Sequence, residues 1–125
     1  MRFLMVHRLD ERRPDAFAPS PEVFAGIGKL MEEMTKDGVL LAAEGVLPSS
    51  KGAVVRFEGG KRTVTDGPFT EAKEVIGGFA LIQARSKEEA IEWASRLADV
   101  IGDVEVEVRQ VAEMSDLAPG AAAGG

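Results

Sequence analysis

The longest apolar segment of the chain runs from Val75 to Ala84 and reads Val-Ile-Gly-Gly-Phe-Ala-Leu-Ile-Gln-Ala. This composition predicts a β-strand. Successive strand residues point to opposite faces, so the run Phe79-Ala80-Leu81-Ile82 is apolar on both faces. The paired glycines Gly77-Gly78 predict a bulge or the close approach of another group.

A second strand and two helices are predicted on either side of this segment. Phe3 to His7 predicts a strand that is also apolar on both faces. A helix follows Ser20-Pro21, since Ser is a good N-cap and Pro suits the first helical position, and Gly38 ends it. Ser86-Lys87-Glu88-Glu89 is a capping box that opens a second helix, which ends at Gly102.

The remaining strands complete a repeated order. Val39 to Val46 predicts a strand, and Ala53 to Phe57 with Lys61 to Thr65 predicts a hairpin around Glu58-Gly59-Gly60. Val104 to Val111 alternates valines with charged residues and predicts the last strand. The order is therefore β-α-β, hairpin, β-α-β.

Two βαβ units of similar size predict a ferredoxin-like α+β fold with an antiparallel sheet and one extra hairpin. Right-handed crossovers would place both helices on one face of that sheet. We assign residues 1–112 to this single domain, and residues 113–125, rich in Ala and Gly, to a flexible tail.

The helix-free face of the predicted sheet is apolar and is not buried by either helix. Two helices protect only one face, yet the first and the longest strands are apolar on both. An uncovered apolar face of this size is an association surface, so we expect a homodimer packed sheet to sheet. Glu105, Glu107 and Arg109 share one face of the last strand. If that face meets the partner, they must pair, be solvated in a cleft or shift their pKa values. The alternative is an edge strand whose face is in contact with water.

Composition limits the partners. A net charge of −6 argues against nucleic acid or an anionic membrane as the main partner. The chain has no cysteine, which excludes disulfides and thiolate chemistry. The first residues are too short an apolar run for a signal peptide, and no segment is long enough to span a bilayer. These features predict a cytoplasmic protein.

Asp66 is the first candidate for chemistry. It stands in Val64-Thr65-Asp66-Gly67-Pro68-Phe69, where a carboxylate either caps the turn or serves as a rigidly held base. Glu71 and Lys73 follow closely. They form either a solvated charge run or, if one turns inward, part of a pocket with a shifted pKa.

His7 is the only histidine and the natural proton carrier. The alternative is a histidine at the edge of the core. Glu44 lies in an apolar strand beside Gly45, either at the exposed end of the strand or in a pocket. One histidine without cysteine is a poor ligand set for zinc, and no spaced carboxylate motif supports magnesium. Serine-triad, phosphate-loop and dinucleotide motifs are absent, so no metal or cofactor is expected.

Several motifs together resemble the DGPF branch of the YCII-related proteins. They are Gly52-Ala53-Val54-Val55-Arg56-Phe57, Asp66-Gly67-Pro68-Phe69, Glu71-Ala72-Lys73-Glu74 and Gly77-Gly78-Phe79. The resemblance covers roughly residues 1–112 and implies a dimeric α+β barrel. A few relatives act on small ring compounds with a His–Asp pair, but this chain lacks the histidine of the usual pair. A substitute pair of His7 and Asp66 is the form that such chemistry would take here.

The first functional hypothesis is a cytoplasmic homodimer that binds a small organic molecule near the Asp66 turn. Asp66 and His7 would be the acid/base groups of a cofactor-free lyase- or isomerase-like reaction, and Glu44, Phe69, Glu71 and Lys73 would bind the substrate. The alternative is a non-catalytic module that binds a metabolite or a protein in a regulatory setting.

Overall fold

A computed structural model describes residues 1–118; residues 119–125, in the predicted tail, lie outside the described residues. The elements are β1 (Arg2–Leu9), α1 (Pro21–Lys36), β2 (Leu40–Gly45), β3 (Ala53–Glu58), β4 (Lys61–Asp66), β5 (Val75–Gln83), α2 (Lys87–Ile101), β6 (Glu105–Gln110) and α3 (Met114–Leu117). A single 3-10 turn covers Ser49–Lys51. The short helix α3 falls within the segment predicted to be a tail.

The four strands of the main sheet lie in the order β2-β5-β1-β6, and all neighbours are antiparallel. Each βαβ unit is thus split by a strand of the other unit, which confirms the ferredoxin-like α+β fold. The strands β3 and β4 form a separate two-stranded sheet, as the hairpin signal predicts.

The core lies between this sheet and the two long helices. Phe3 and Met5 of β1 are about 1% exposed, and Ile82 of β5 is fully buried. They pack with Met34 of α1 and Leu97 of α2, among other apolar side chains. Both helices therefore cover one face of the sheet.

The predicted N-caps fix where those helices begin. The hydroxyl of Ser20 accepts a hydrogen bond from the Val23 amide at 3.2 Å, and the hydroxyl of Ser86 accepts one from the Glu89 amide at 3.1 Å. Each bond satisfies one of the amide groups that a helix leaves without an internal partner.

The helix-free side of the sheet is called the open face here. The register places Leu4, Val6, Ile76, Phe79 and Leu81 on it. Ile76 is 45% exposed and Phe79 is 37% exposed, while the other three are half-buried. The two central strands are therefore apolar on both faces, as their sequences predict.

The β6 edge of the open face is ionic. Arg8 donates to the Glu107 carboxylate at 3.4 Å, and Arg109 donates to it at 3.1 Å. The Arg109 hydrogen bond is the main reason that the pKa of Glu107 falls below its usual value, with Arg8 adding to it. Glu107 thus pairs, while Val106 and Val108 pack against the core.

The hairpin of β3 and β4, Ala53–Asp66, is called the arm. Every residue of both strands is exposed. Among residues 1–118, no helix or sheet strand packs extensively against it. The arm therefore projects from the body of the domain.

Candidate functional site

The turn that follows the arm packs closely against Gly67. The Gly67 amide donates to the Gly52 carbonyl at 2.9 Å, and the peptide bond before Pro68 is cis. A Cβ on Gly67 would lie 1.7 Å from the Ser49 carbonyl oxygen. Such a contact is impossible, and the obstacle is backbone, so this position accepts only glycine.

Ser49 is the centre of the contacts around this turn. It is 7% exposed, and its hydroxyl accepts a hydrogen bond from the Phe69 amide at 2.8 Å. The same hydroxyl donates to one oxygen of the Glu11 carboxylate. The Ser49 amide donates to the other oxygen at 3.0 Å. Glu11, Ser49 and Phe69 thus tie three loops together, and we call them the Ser49 junction.

Asp66 ends β4 opposite Ala53 and is exposed. Within residues 1–118, its carboxylate accepts no hydrogen bond, so the turn is held by Gly67 and the Ser49 junction instead of by an Asp66 cap. Among residues 1–118, the Asp66 side chain thus has no hydrogen-bonding role, although its backbone pairs with Ala53 in the hairpin. Its role in chemistry stays a prediction.

Two grooves flank the turn. One, of about 440 Å³, is lined by Arg56, Thr65, Phe69 and Glu71 among others. The second, of about 620 Å³, is called the hinge groove, because it separates the base of the arm from the ends of β2 and β5. Its apolar lining residues include Val46, Leu47, Ala53, Phe69 and Ile76. The predicted substrate-binding residues Phe69 and Glu71 therefore share the first groove. Lys73 is exposed and lines neither groove.

His7 lies elsewhere, in a cleft between the helices and the sheet. This cavity of about 330 Å³ is called the His7 cleft. Its lining is Met5, His7, Phe24, Ile27, Met31, Ala43, Glu44, Gly45, Phe79, Ala80, Leu97 and Ile101. The lining is mostly apolar, as small-molecule sites usually are.

Paired glycines make room for the His7 ring. A Cβ on Gly77 would lie 2.5 Å from the His7 Nε2, and a Cβ on Gly78 would lie 2.8 Å from the His7 Cε1. The strand register also shifts here, since Arg8 pairs with Ile76 and leaves Gly77 as the extra residue. Both features predicted from Gly77-Gly78, a bulge and a close approach, are therefore confirmed.

Burial disfavours the charged form of His7 and lowers its pKa below the usual value of 6.5. In the part of the chain that the structure describes, no group hydrogen-bonds to the ring. At neutral pH, His7 is therefore a neutral imidazole in an apolar cleft. It can accept a proton or a hydrogen bond from a bound molecule.

Glu44 does not join His7 through its side chain. Glu44 pairs with Phe79, whose side chain lies on the open face, whereas His7 points toward the helices with Met5. Directly paired residues share a face of the sheet, so the Glu44 side chain projects away from the imidazole. Asp66 lines no part of the His7 cleft. Within a single chain, His7 therefore lies in the cleft, Phe69 and Glu71 line a groove and Glu44 is on the open face. Asp66 and Lys73 line none of these cavities.

The described chain has two further properties that bear on function. Residues 1–118 contain no cluster of three or more His, Asp or Glu side chains suited to a metal ion. In the same range, none of the helices combines the length and apolarity needed to cross a bilayer.

Comparison with known proteins assigns the chain to a family. Residues 1–115 match the YCII-related domain, so the protein belongs to the YCII-related family. The chain is also similar to an uncharacterised protein of Rhizobium meliloti (strain 1021), with 31% identity over 77 residues. That match spans 62% of each chain. Membership of the DGPF branch stays a prediction from Asp66 to Phe69 and the motifs beside it.

Proposed function

We propose that the protein binds a small, mostly apolar organic molecule in the His7 cleft, and that the neutral His7 ring accepts a proton or hydrogen bond from it. The observation that carries this proposal is a half-buried imidazole in an apolar cavity of about 330 Å³, to which no group of residues 1–118 hydrogen-bonds. This site differs from the turn at which the sequence centres the pocket. The cleft holds a titratable group whose pKa is lowered by burial, which is a common property of functional sites.

If the bound molecule carries an acidic C–H, His7 would be the base of a cofactor-free proton abstraction. A second candidate is a binding module without chemistry. It is favoured by one observation: within residues 1–118, no carboxylate hydrogen-bonds to the His7 ring to orient it. Catalytic histidines usually have such an orienting partner.

Thermal-shift screening with a library of small metabolites tests the binding site. A ligand that binds only the native state raises the melting temperature. We expect His7→Gln to abolish the shift, and Glu71→Gln, in the groove beside the arm, to retain it. A shift that survives His7→Gln and disappears in Glu71→Gln would move the site to the turn.

The two candidates differ in what happens to a bound ligand in D2O. Proton abstraction by His7 exchanges a ligand C–H for deuterium, which 1H NMR detects as a loss of signal. Exchange that requires His7 favours the enzyme, and tight binding without exchange favours the module.

We also propose that two copies associate through their open faces. Apolar side chains at the centre of this face, including Phe79 and Leu81, are bordered by the paired charges of Arg8, Glu107 and Arg109. A cytoplasmic homodimer is the state that we expect. A monomer in sedimentation equilibrium at micromolar concentration would contradict this proposal.

A further inference from the structure

The arm has two faces of different character. Val55 pairs with Val64, and Phe57 lies two residues further along the same face. Their exposed fractions are 63% for Val55, 61% for Val64 and 72% for Phe57. The opposite face carries mainly polar side chains such as Arg56 and Thr63. Ala53, Val55, Phe57 and Val64 form what we call the arm's apolar face. Two charged residues share it, Arg62 opposite Phe57 near the tip and Asp66 opposite Ala53 at the base.

The apolar face of the arm does not pack against another strand or a helix of the same chain among residues 1–118. A two-stranded hairpin is marginally stable in water and usually needs a third strand or a helix against its apolar side. Among residues 1–118, no element supplies that layer. Three large apolar side chains on one face, each more than half exposed, are the pattern of a contact surface.

The arm's apolar face and the open face border the same groove. Ala53 of the arm and Ile76 of the open face both line the hinge groove. A body that covers the open face therefore lies beside the arm as well. The same molecule can contact both surfaces, which favours a second copy of the chain as the occupant.

Charge favours the same occupant. The arm carries three basic and two acidic side chains, a net charge of +1, in a chain whose net charge is −6. The rest of the chain therefore carries −7. Arg62, which shares the apolar face with Phe57, is attracted to the acidic body of another copy, and such complementarity fixes orientation in an interface.

We infer that the arm's apolar face docks on a second copy of this chain. The inference rests on the sheet-to-sheet dimer proposed above and extends its interface from the open face to the arm. Docking closes the hinge groove between the subunits. Asp66 pairs with Ala53 and shares its face, so the contact brings Asp66 to the subunit border. The hinge groove is then complete only in the dimer.

Sedimentation equilibrium on matched variants of the full chain tests this inference. Phe57 and Phe24 are both 72% exposed, but Phe24 lies on α1, away from the arm. We expect Phe57→Thr to weaken dimerisation at least tenfold, since each dimer has two arms, and Phe24→Thr to leave the dissociation constant within twofold.

A second pair of variants keeps the side-chain volume unchanged, so that only the loss of apolar surface is tested. Val55→Thr and Val54→Thr each exchange a methyl for a hydroxyl, at neighbouring residues on opposite faces of β3. We expect only Val55→Thr to weaken the dimer. Circular dichroism checks that each variant keeps its fold.

The outcomes separate the proposals. If Leu81→Lys on the open face breaks the dimer while Phe57→Thr and Val55→Thr do not, the arm inference is wrong and the sheet interface stands. A monomeric wild-type chain overturns both. Ligand binding at His7 is measured separately by thermal shift, so its failure leaves the arm result unaffected.

Discussion

The Gly67 turn and the Gly77–Gly78 segment both require glycine, but a Cβ atom would meet different groups at the two sites. At Gly67 the neighbour is the Ser49 carbonyl, a fixed part of the backbone. At Gly77 the nearest neighbour is the His7 ring, a titratable side chain in a cleft, and at Gly78 the ring and the Glu44 carbonyl are equally close. The turn is thus a structural joint, whereas the cleft is the site that we propose for a ligand. The distinctive motif from Asp66 to Phe69 therefore marks a joint, and the proposed site lies elsewhere, around His7.

The largest effect is expected at the joint. Gly67→Ala would place a methyl group on the Ser49 carbonyl, and relief requires the backbone to move. We expect a loss of about 3 kcal/mol or more in the free energy of unfolding, measured by urea denaturation. Gly28→Ala is the control. It meets no atom within 4 Å, and alanine is the better helix former, so it should stabilise the protein by up to about 1 kcal/mol. Equal changes in the free energy of unfolding for Gly67→Ala and Gly28→Ala would show that Gly67 is not a structural joint.

A smaller loss is expected at the Ser49 junction. Ser49→Ala removes one hydrogen bond to Glu11 and leaves the amide of the half-buried Phe69 without its acceptor. We expect a cost of about 2 kcal/mol in urea denaturation. Ser50→Ala, at the exposed neighbouring residue, should change stability by less than about 0.5 kcal/mol. A stable Ser49→Ala protein would show that the junction is dispensable.

Burial of His7 in the cleft should make the free energy of unfolding depend on pH. Burial lowers the pKa of His7 in the folded state, so the unfolded chain binds the proton more readily. The contribution of His7 to stability is complete above its unfolded pKa of 6.5 and is lost as the pH falls through its lowered folded value. We expect the free energy of unfolding to decrease below pH 6.5, and His7→Gln to reduce that decrease. Chemical denaturation at a series of pH values measures both. If the free energy of unfolding changes equally with pH in the wild type and in His7→Gln, burial of His7 does not affect stability.

The smallest effect on stability is expected at Asp66. Its carboxylate is exposed and accepts no hydrogen bond in the described part of the chain, so Asp66→Asn should change the free energy of unfolding by less than about 0.5 kcal/mol. If Asp66 takes part in chemistry, turnover falls in this variant without loss of fold. Unchanged activity, once a substrate is known, would remove Asp66 from the site.

The sequence predicts those features that depend on local pattern. Ser20 and Ser86 cap the helices as expected, and Gly77-Gly78 marks both a bulge and a close approach. These signals lie within a few residues of their effects. The alternation in Val104 to Val111 likewise gives the correct inner and outer faces of β6.

The sequence does not predict contacts that depend on the packing of distant loops. Ser49 and Glu11 are 38 residues apart, and no motif in either loop indicates their bond. The separation of His7 from Glu44 follows from strand register, which fixes which side of the sheet each residue faces. Residue spacing alone does not give that register.

The hydrogen bond between the Gly67 amide and the Gly52 carbonyl has an evolutionary consequence. It brings together the two ends of the segment that protrudes between them, so that segment enters and leaves the globule at nearly one point. Insertions or deletions there change the length of the protrusion without displacing the residues that flank it. A change in the length of this appendage during evolution is therefore expected to leave the fold of the globule unchanged.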